Sequence, residues 1–332
     1  MKRPPISVIV PAYCAERTLP ALFDALDRQS LPRADFEVIV VDDGSPDKTA
    51  AIAERRGAKV IRQARAGPAA ARNRGAREAA GELLVFTDAD CAPAPDFLER
   101  LTAPFSNSAV AATKGAYLSN QKELVARFVQ LEYEEKYDRM ARAQARSGGI
   151  DFVDTYAAAF RRADFFEAGG FDEGFPDASV EDQELSFRLA ARGKNMRFVP
   201  EARVWHLHAA SLCAYARKKR KIGFWKVALL RRHPEKAVRD SHTPQSLKLQ
   251  MALLLLPPIF LFATIPFFLR AFRRDLAVAL AAPFLLYVRA AALGWGLVTG
   301  AMRGAKLPER LSPHPHRLLS GEKESLAREA AR

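Results

Sequence analysis

Asp88-Ala89-Asp90 sets two carboxylates one residue apart, directly after the apolar run Leu83-Leu84-Val85-Phe86. A pair of this kind on a turn can share a divalent cation, because Mg²⁺ and Mn²⁺ favour few protein carboxylates completed by phosphate oxygens and water. It also arises as plain turn chemistry, so its surroundings decide. Asp42-Asp43-Gly44-Ser45 ends a second apolar run. A carboxylate there can accept the imide N–H of a uracil ring, and Ser45 can cap the helix that follows. Pro11-Ala12-Tyr13 ends a third run, where an aromatic ring can pack beside a base. Gly67-Pro68-Ala69-Ala70-Ala71-Arg72-Asn73 opens a helix on small residues. Close backbone approach and an arginine near a helix N-terminus suit an anion. Together these clusters match a ligand with a base, a ribose and a diphosphate.

The elements that must position them alternate. Ile6–Val10, Phe36–Val41, Lys59–Ile61 and Leu83–Phe86 are predicted strands. Helices are predicted from about Thr18 to Gln29, up to about Arg56, and from Ala69 to Ala80. Strands spaced by helices of 10–15 residues imply a parallel sheet with helices on both faces. Every polar cluster then falls at a carboxyl end, where open α/β sheets bind ligands. Farther on, helices are predicted over Gln121–Ala145 and Val180–Ala191, with a strand at Met196–Val199. The chain of 332 residues, about half apolar, is long enough for one large domain or two smaller ones. Three separated cysteines, Cys14, Cys91 and Cys213, form neither a disulfide framework nor a metal-ligand spacing, which fits a reducing compartment. The net charge of +13 calls for a polyanionic partner, whether nucleic acid, membrane or phosphate-bearing ligand. The start, Met1-Lys2-Arg3-Pro4-Pro5, carries no signal-peptide apolar region, so the first domain is expected to stay in the cytoplasm.

The C-terminal third differs in kind. Leu249–Leu269 holds no charged residue, and Leu276–Met302 holds one, Arg289. Each is long enough to cross a hydrocarbon core of about 30 Å. Pro257, Pro258 and Pro266 weaken a straight spanning helix in the first stretch. Arg289 would cost about 2.5–3.5 kcal/mol near a bilayer centre. Arg270, Arg273 and Arg274 in the turn would face outward if both segments spanned, against the positive-inside rule, which leaves a tilted hairpin or an interfacial pair open. A basic stretch before them, Arg217 to Lys236, suits anionic headgroups at roughly 1 kcal/mol per charge. Nucleic acid is not expected as a partner, since no recognised fold motif for it accompanies the charge.

Ser7–Tyr13, Val40–Ser45, Gly67–Asn73 and Thr87–Asp90 occur in the order seen in family 2 glycosyltransferases of the GT-A fold, an α/β fold with a Rossmann-like, mostly parallel sheet flanked by helices. Gly169-Gly170-Phe171-Asp172-Glu173 and Glu181-Asp182-Gln183-Glu184-Leu185 resemble that family's acceptor-side and catalytic segments. The resemblance covers about residues 5 to 225. It implies a nucleotide-sugar-binding half over 1–118 and an acceptor and catalytic half over 119–225. A basic juxtamembrane linker (226–248), two membrane-associated helices (249–302) and a basic polar tail (303–332) complete the expected order.

The implied reaction is inverting transfer of a sugar from a nucleotide sugar, UDP-linked by family habit, with Mn²⁺ or Mg²⁺. Pro11, Tyr13 and Asp43 would frame the base, with Asp42 nearby, and Glu16, Gly67 and Arg72 would line the donor site. Asp88 would contact ribose or metal waters and Asp90 the cation. Asp182 would be the general base, Glu181 its runner-up, and His206 would lie near the metal or diphosphate, with His208 two residues on. Two departures matter. Thr155-Tyr156-Ala157-Ala158-Ala159 stands where many relatives carry Gly-Asn before Phe160-Arg161-Arg162, so the acceptor does not carry over. No Gln-x-x-Arg-Trp signature follows residue 206, so one sugar per binding event is expected. The expected acceptor is a lipid-linked or envelope glycan, at an anionic inner (cytoplasmic) membrane with the catalytic domain facing the cytoplasm. A nucleotidyltransferase lacks support, because its Gly-rich, Arg-Lys-containing loop is missing after Val10. A non-catalytic membrane scaffold sits badly with intact Asp88, Asp90 and Asp182.

Overall fold

The computed structural model describes residues 5–175, 179–236 and 244–305. Parts of the expected linker and nearly all of the expected tail lie outside the described residues. Four strands, β1 (Ile6–Ala12), β2 (Phe36–Asp42), β3 (Lys59–Arg62) and β4 (Leu83–Thr87), alternate with α1 (Leu19–Asp27), α2 (Thr49–Arg55) and α3 (Pro68–Arg77). All four run parallel, in the order β3-β2-β1-β4. Their β-branched runs are buried on both faces: Val8 and Val10 join the core beneath α1, while Ile9 and Ile39 join the one beneath α3. Continuous apolar strands of this kind need helices on each side.

The second half adds β5 (Cys91–Pro93), α4 (Phe97–Thr102), β6 (Val110–Leu118), α5 (Leu124–Ser147), β7 (Ala157–Arg161), α6 (Arg162–Glu167), α7 (Glu181–Ala191) and β8 (Asn195–His206). β7 inserts antiparallel beside β4, and the sheet continues β7-β6-β8-β5 to eight strands. The sheet is therefore mixed, with its parallel half on the β1 side. The predicted short strand at Met196–Val199 is the first third of β8, which runs on to His206. β5 pairs antiparallel with the end of β8, setting Cys91 opposite His206.

After α8 (Leu212–Arg232) come α9 (Gln245–Ala252), α10 (Pro257–Phe262), α11 (Ile265–Phe272) and α12 (Leu276–Met302). The first apolar stretch is thus not one long helix. Pro257-Pro258 starts α10 and Pro266 sits in the first turn of α11, as residues without an N–H and with fixed φ require. Among the described residues only α12 is long and apolar enough to cross a membrane, by length and composition.

That helix is nonetheless bound along its length to the α/β unit. Its N-cap Asp275 pairs with Arg127 of α5 at 2.9 Å. In the preceding turn, Arg270 reaches Asp138 and Arg274 reaches Glu134, both at 2.5 Å. Arg289, buried, donates to Glu132 of α5 at 2.8 Å and to Gln250 of α9 at 2.6 Å. The C-terminal half crosses α8 in backbone contact: a Cβ on Gly296 would lie 2.1 Å from the carbonyl oxygen of Arg220. Two of the three arginines of that turn, Arg270 and Arg274, and the one expected to burden a membrane helix, Arg289, hold α11 and α12 to α5, while Arg273 stays exposed. The opposite faces of α10–α12 are bare, with Phe262 70%, Leu280 69% and Met302 80% exposed.

Candidate active site

The carboxyl ends of β1, β2 and β4 open on one cleft. On the β1 side Pro11 is half-buried, and Tyr13 is exposed with the Arg65 guanidinium 3.8 Å from its ring centre. Both groups offer flat faces to a planar ligand. Asp42 is buried and accepts the Ser45 N–H at 3.0 Å. Asp43, also buried, accepts from the Gln63 side chain (2.8 Å) and from the backbone N–H groups of Ala66 (2.8 Å) and Gly67 (2.9 Å). Its carboxylate fixes the loop leading into α3. Gly67 stands there at φ 92°, a left-handed value that other residues rarely adopt. Glu16 is half-buried and ties the first loop to the second by accepting the Lys48 N–H at 3.1 Å.

Arg72 joins the donor side to the catalytic helix. It is buried, donates through Nη2 to Asp88 at 2.8 Å and through Nη1 to Glu181 at 3.0 Å. One guanidinium thus holds the end of β4 against the start of α7. Glu181 is buried and also accepts the Ser179 N–H at 2.7 Å, so this runner-up base is committed to Arg72. Asp182, the next residue, is half-buried and accepts the Gln183 N–H at 2.7 Å. Burial pushes its carboxyl well above the ordinary range, and the neighbouring charges of Glu181 and Asp154 push it the same way.

Asp90 is exposed, with its Oδ2 3.3 Å from Nε2 of His206. Burial works to raise its carboxyl, but the hydrogen bond and charge of His206 outweigh it and hold the group low. The β5–β8 ladder positions His206 beside the Asp90 turn, and its ring stacks on Tyr117 at 4.4 Å. Its Nδ1 is buried without a hydrogen-bond partner. The expected set of Asp88, Asp90 and His206 is not assembled. Among the described residues no group of three His, Cys, Asp or Glu side chains is placed to hold a metal, because Asp88 is turned to Arg72. Asp90 and His206 converge as a pair. Two protein ligands fit Mg²⁺ or Mn²⁺, which keep remaining positions for water and phosphate oxygens. His208 is a packing residue: it accepts or donates at Gln130, 3.0 Å away, stacks on Tyr133, and burial pushes its pKa down to about 3.

One group of residues was missed from the sequence. Lys114 on β6 is fully buried, pairs with Asp154 at 2.8 Å and donates to the Tyr156 hydroxyl at 2.7 Å. Lys136 on α5 meets the same Asp154 at 2.7 Å. Burial pushes Lys114 down to about 8 against the pull of Asp154. The available signal was a single charge inside an apolar strand, Val110-Ala111-Ala112-Thr113-Lys114-Gly115-Ala116. A buried charge needs a partner.

Residues 7–167 match the family described as Glycosyl transferase family 2. The chain is 31% identical over 236 residues to validoxylamine A glucosyltransferase of Streptomyces hygroscopicus subsp. limoneus, covering 62% of this chain and 52% of that protein. It is 30% identical over 207 residues to the pre-mycofactocin glycosyltransferase of Mycobacterium tuberculosis, covering 60% of this chain and 44% of that one. The chain therefore spans about half the length of these curated relatives. A mannosyltransferase from Pyrobaculum calidifontis, solved with GDP-Man and Mn²⁺, shares the fold at TM-score 0.58 and 23% identity, over 91% of this chain and 88% of that one. Glucosyl-3-phosphoglycerate synthase from Mycobacterium tuberculosis, solved with Mn²⁺, UDP-Glc and phosphoglyceric acid, shares it at 0.51 and 22%, over 69% and 79%. With the ordered strand-end motifs already placed around one cleft, these matches lead to one assignment: residues 7–167 form a glycosyl transferase family 2 domain, and the chain carries the GT-A fold.

Proposed function

We propose that the protein is an inverting glycosyltransferase that moves one sugar per binding event from a nucleotide sugar, UDP-linked, to an acceptor hydroxyl at a membrane surface. The observation that carries this reading is the buried Arg72, bonded at once to Asp88 on the donor turn and to Glu181 beside Asp182. It supports a diphosphate site and a proton acceptor sharing one cleft. The base would lie by Tyr13, Asp42 and Asp43, and Asp90 with His206 would hold the cation. A bound divalent cation would supply positive charge for the departing nucleotide diphosphate. Asp182 takes the proton from the acceptor hydroxyl as its oxygen bonds the anomeric carbon. The bond from that carbon to the diphosphate oxygen breaks on the opposite face, and the configuration inverts. The raised carboxyl of Asp182 suits this role, since a base works best with a pKa near the operating pH.

The membrane part of the reading is supported by the bare apolar faces of α10–α12 beside exposed Arg273 and Arg303. Because Arg270, Arg274 and Arg289 bind α5, these helices lie against the catalytic unit, which favours in-plane seating over a spanning hairpin. The expected surface is the cytoplasmic face of an anionic inner membrane.

Thermal shift of the full chain with a panel of nucleotide sugars and Mn²⁺ tests the donor. One donor class should raise the midpoint, by the equivalent of about 2.7 kcal/mol at a hundredfold excess over Kd. Proton NMR of the product then reads the anomeric centre. A retained configuration overturns the mechanism.

A further inference from the structure

A second cavity, of about 160 Å³, lies between α5, α8 and α12. Its lining is of two kinds. Val129, Ile222, Leu247 and Leu293 form an apolar part. The remainder gathers Lys218, Lys219 and Arg289 around Glu132, while Lys136 and Arg139 are held by Asp154 (2.7 Å) and Glu135 (3.1 Å). Lys219 and Arg289 both close on Glu132, at 3.3 and 2.8 Å, so one carboxylate faces two cations there. Arg289 is 4% exposed, and its Nε is buried with no hydrogen-bond partner. A buried guanidinium N–H without a partner is a donor in want of an acceptor.

The cavity adjoins the catalytic cleft at two places. Lys136, in its wall, holds Asp154 at 2.7 Å, and the adjoining Val153 donates its N–H to Ser186 Oγ at 3.0 Å, one turn along α7 from Asp182. His208, also in its wall, has its ring 5.5 Å from that of His206, the partner of Asp90. Its apolar lining belongs to the same packed cluster as α10–α12, whose outer faces are bare.

We propose that this cavity binds the acceptor, and that the acceptor is a lipid with a phosphate-bearing headgroup. The inference rests on the transferase reading and names its second substrate. The phosphate sits between Lys219, Arg289 and Lys218, where it supplies the missing acceptor for Arg289 Nε and offsets the excess positive charge. The aliphatic chain follows Val129, Ile222, Leu247 and Leu293 toward the bare faces of α10–α12. The hydroxyl to be glycosylated, beyond the phosphate, is presented to Asp182 along the Lys136 side.

The test is a calorimetric titration of the full chain in neutral detergent micelles, with no donor and no metal, using dodecyl phosphate, dodecanol and inorganic phosphate as probes. Dodecyl phosphate should bind saturably and at least tenfold more tightly than either of the others. Lys219→Gln should weaken it tenfold or more, and Lys219→Arg should restore most of the loss. Ile222→Trp, which fills the apolar part and leaves every charge in place, covers the case in which Lys219→Gln does not fold, and should also weaken dodecyl phosphate. Equal binding of inorganic phosphate would overturn the lipid assignment. Equal binding of dodecanol would overturn the phosphate assignment, and no saturable binding would overturn the site. Because neither donor nor cation is present, these outcomes are read separately from nucleotide-sugar binding, on which the transferase reading stands.

Discussion

Glu132 is the joint between the catalytic unit and the C-terminal helices, and its removal should be costlier than that of its arginine partner. Its carboxylate takes Arg289 at 2.8 Å, Tyr215 at 2.9 Å and Lys219 at 3.3 Å. Glu132→Gln removes the charge and leaves two cations, the buried Arg289 and the partly buried Lys219, facing each other without it. Breaking a buried ion pair from one side costs about 3–5 kcal/mol, because the remaining charge is left uncompensated. Arg289→Met keeps most of the side-chain volume and leaves Glu132 with Lys219 and Tyr215. It gives up the bonds to Glu132 and Gln250, but no charge is left without a partner and Gln250 still donates to the Ala263 carbonyl, so the loss should be about 1.5–3 kcal/mol. At about 2–4 °C per kcal/mol for domains of 150–250 residues, Glu132→Gln should lower the midpoint by roughly 6–20 °C. Thermal unfolding of both variants in neutral detergent, followed by circular dichroism, makes the comparison. If Arg289→Met were as destabilising as Glu132→Gln, or more so, the carboxylate would not be the shared anchor and the reasoning would be refuted.

Asp182 gives a pH prediction with a definite sign. Burial, with Glu181 and Asp154, raises its folded carboxyl above the unfolded value, so the folded state favours the protonated form. Stability from that form is present at low pH and lost as pH rises above the usual carboxylate value of about 3.9. Asp182→Asn should therefore gain in melting temperature over the parent as pH rises, while the parent's transfer rate climbs through the same raised carboxyl; a transfer rate flat from pH 4 to 8 would contradict this. Asp90→Ala and His206→Ala should each raise the Mn²⁺ needed for half-maximal transfer by about tenfold or more, whereas Asp88→Asn, cut off from Arg72, should mainly weaken nucleotide binding. Equal Mn²⁺ curves for all three would show that Asp90 and His206 are not a pair. Gly296→Ile should force α8 and α12 apart, because its Cβ would sit 2.1 Å from the Arg220 carbonyl oxygen. A loss of about 1–3 kcal/mol or more, with faster tryptic cleavage in α8, is expected.

The parallel half was readable because its strands are short, β-branched and each closed by a polar cluster, a local pattern that tertiary contacts do not override. β6 and β7 were not, since Val110–Leu118 and Ala157–Arg161 are rich in alanine, which favours helix, and become strands only through pairing with partners far away in sequence. The resemblance to family 2 glycosyltransferases named Asp182, Asp90 and His206 as candidates. They could not reveal that Arg72 would draw Asp88 away from the other two, nor that Lys114 and Lys136 would share Asp154, because such pairings depend on which helix lands on which strand. The C-terminal arginines show the same limit. Composition set them against a membrane helix, and only the position of α5 reveals the carboxylates that hold them.

The central claim is that Asp182 takes the acceptor's proton on a cleft whose donor half stands apart from it. Its most direct test is single-turnover transfer by Asp182→Asn, measured beside nucleotide-sugar affinity in Mn²⁺. Affinity should stay within about threefold, while transfer falls by about 10²–10⁴-fold. Transfer at the parent rate, with donor binding intact, would contradict the account and exclude Asp182 as the base.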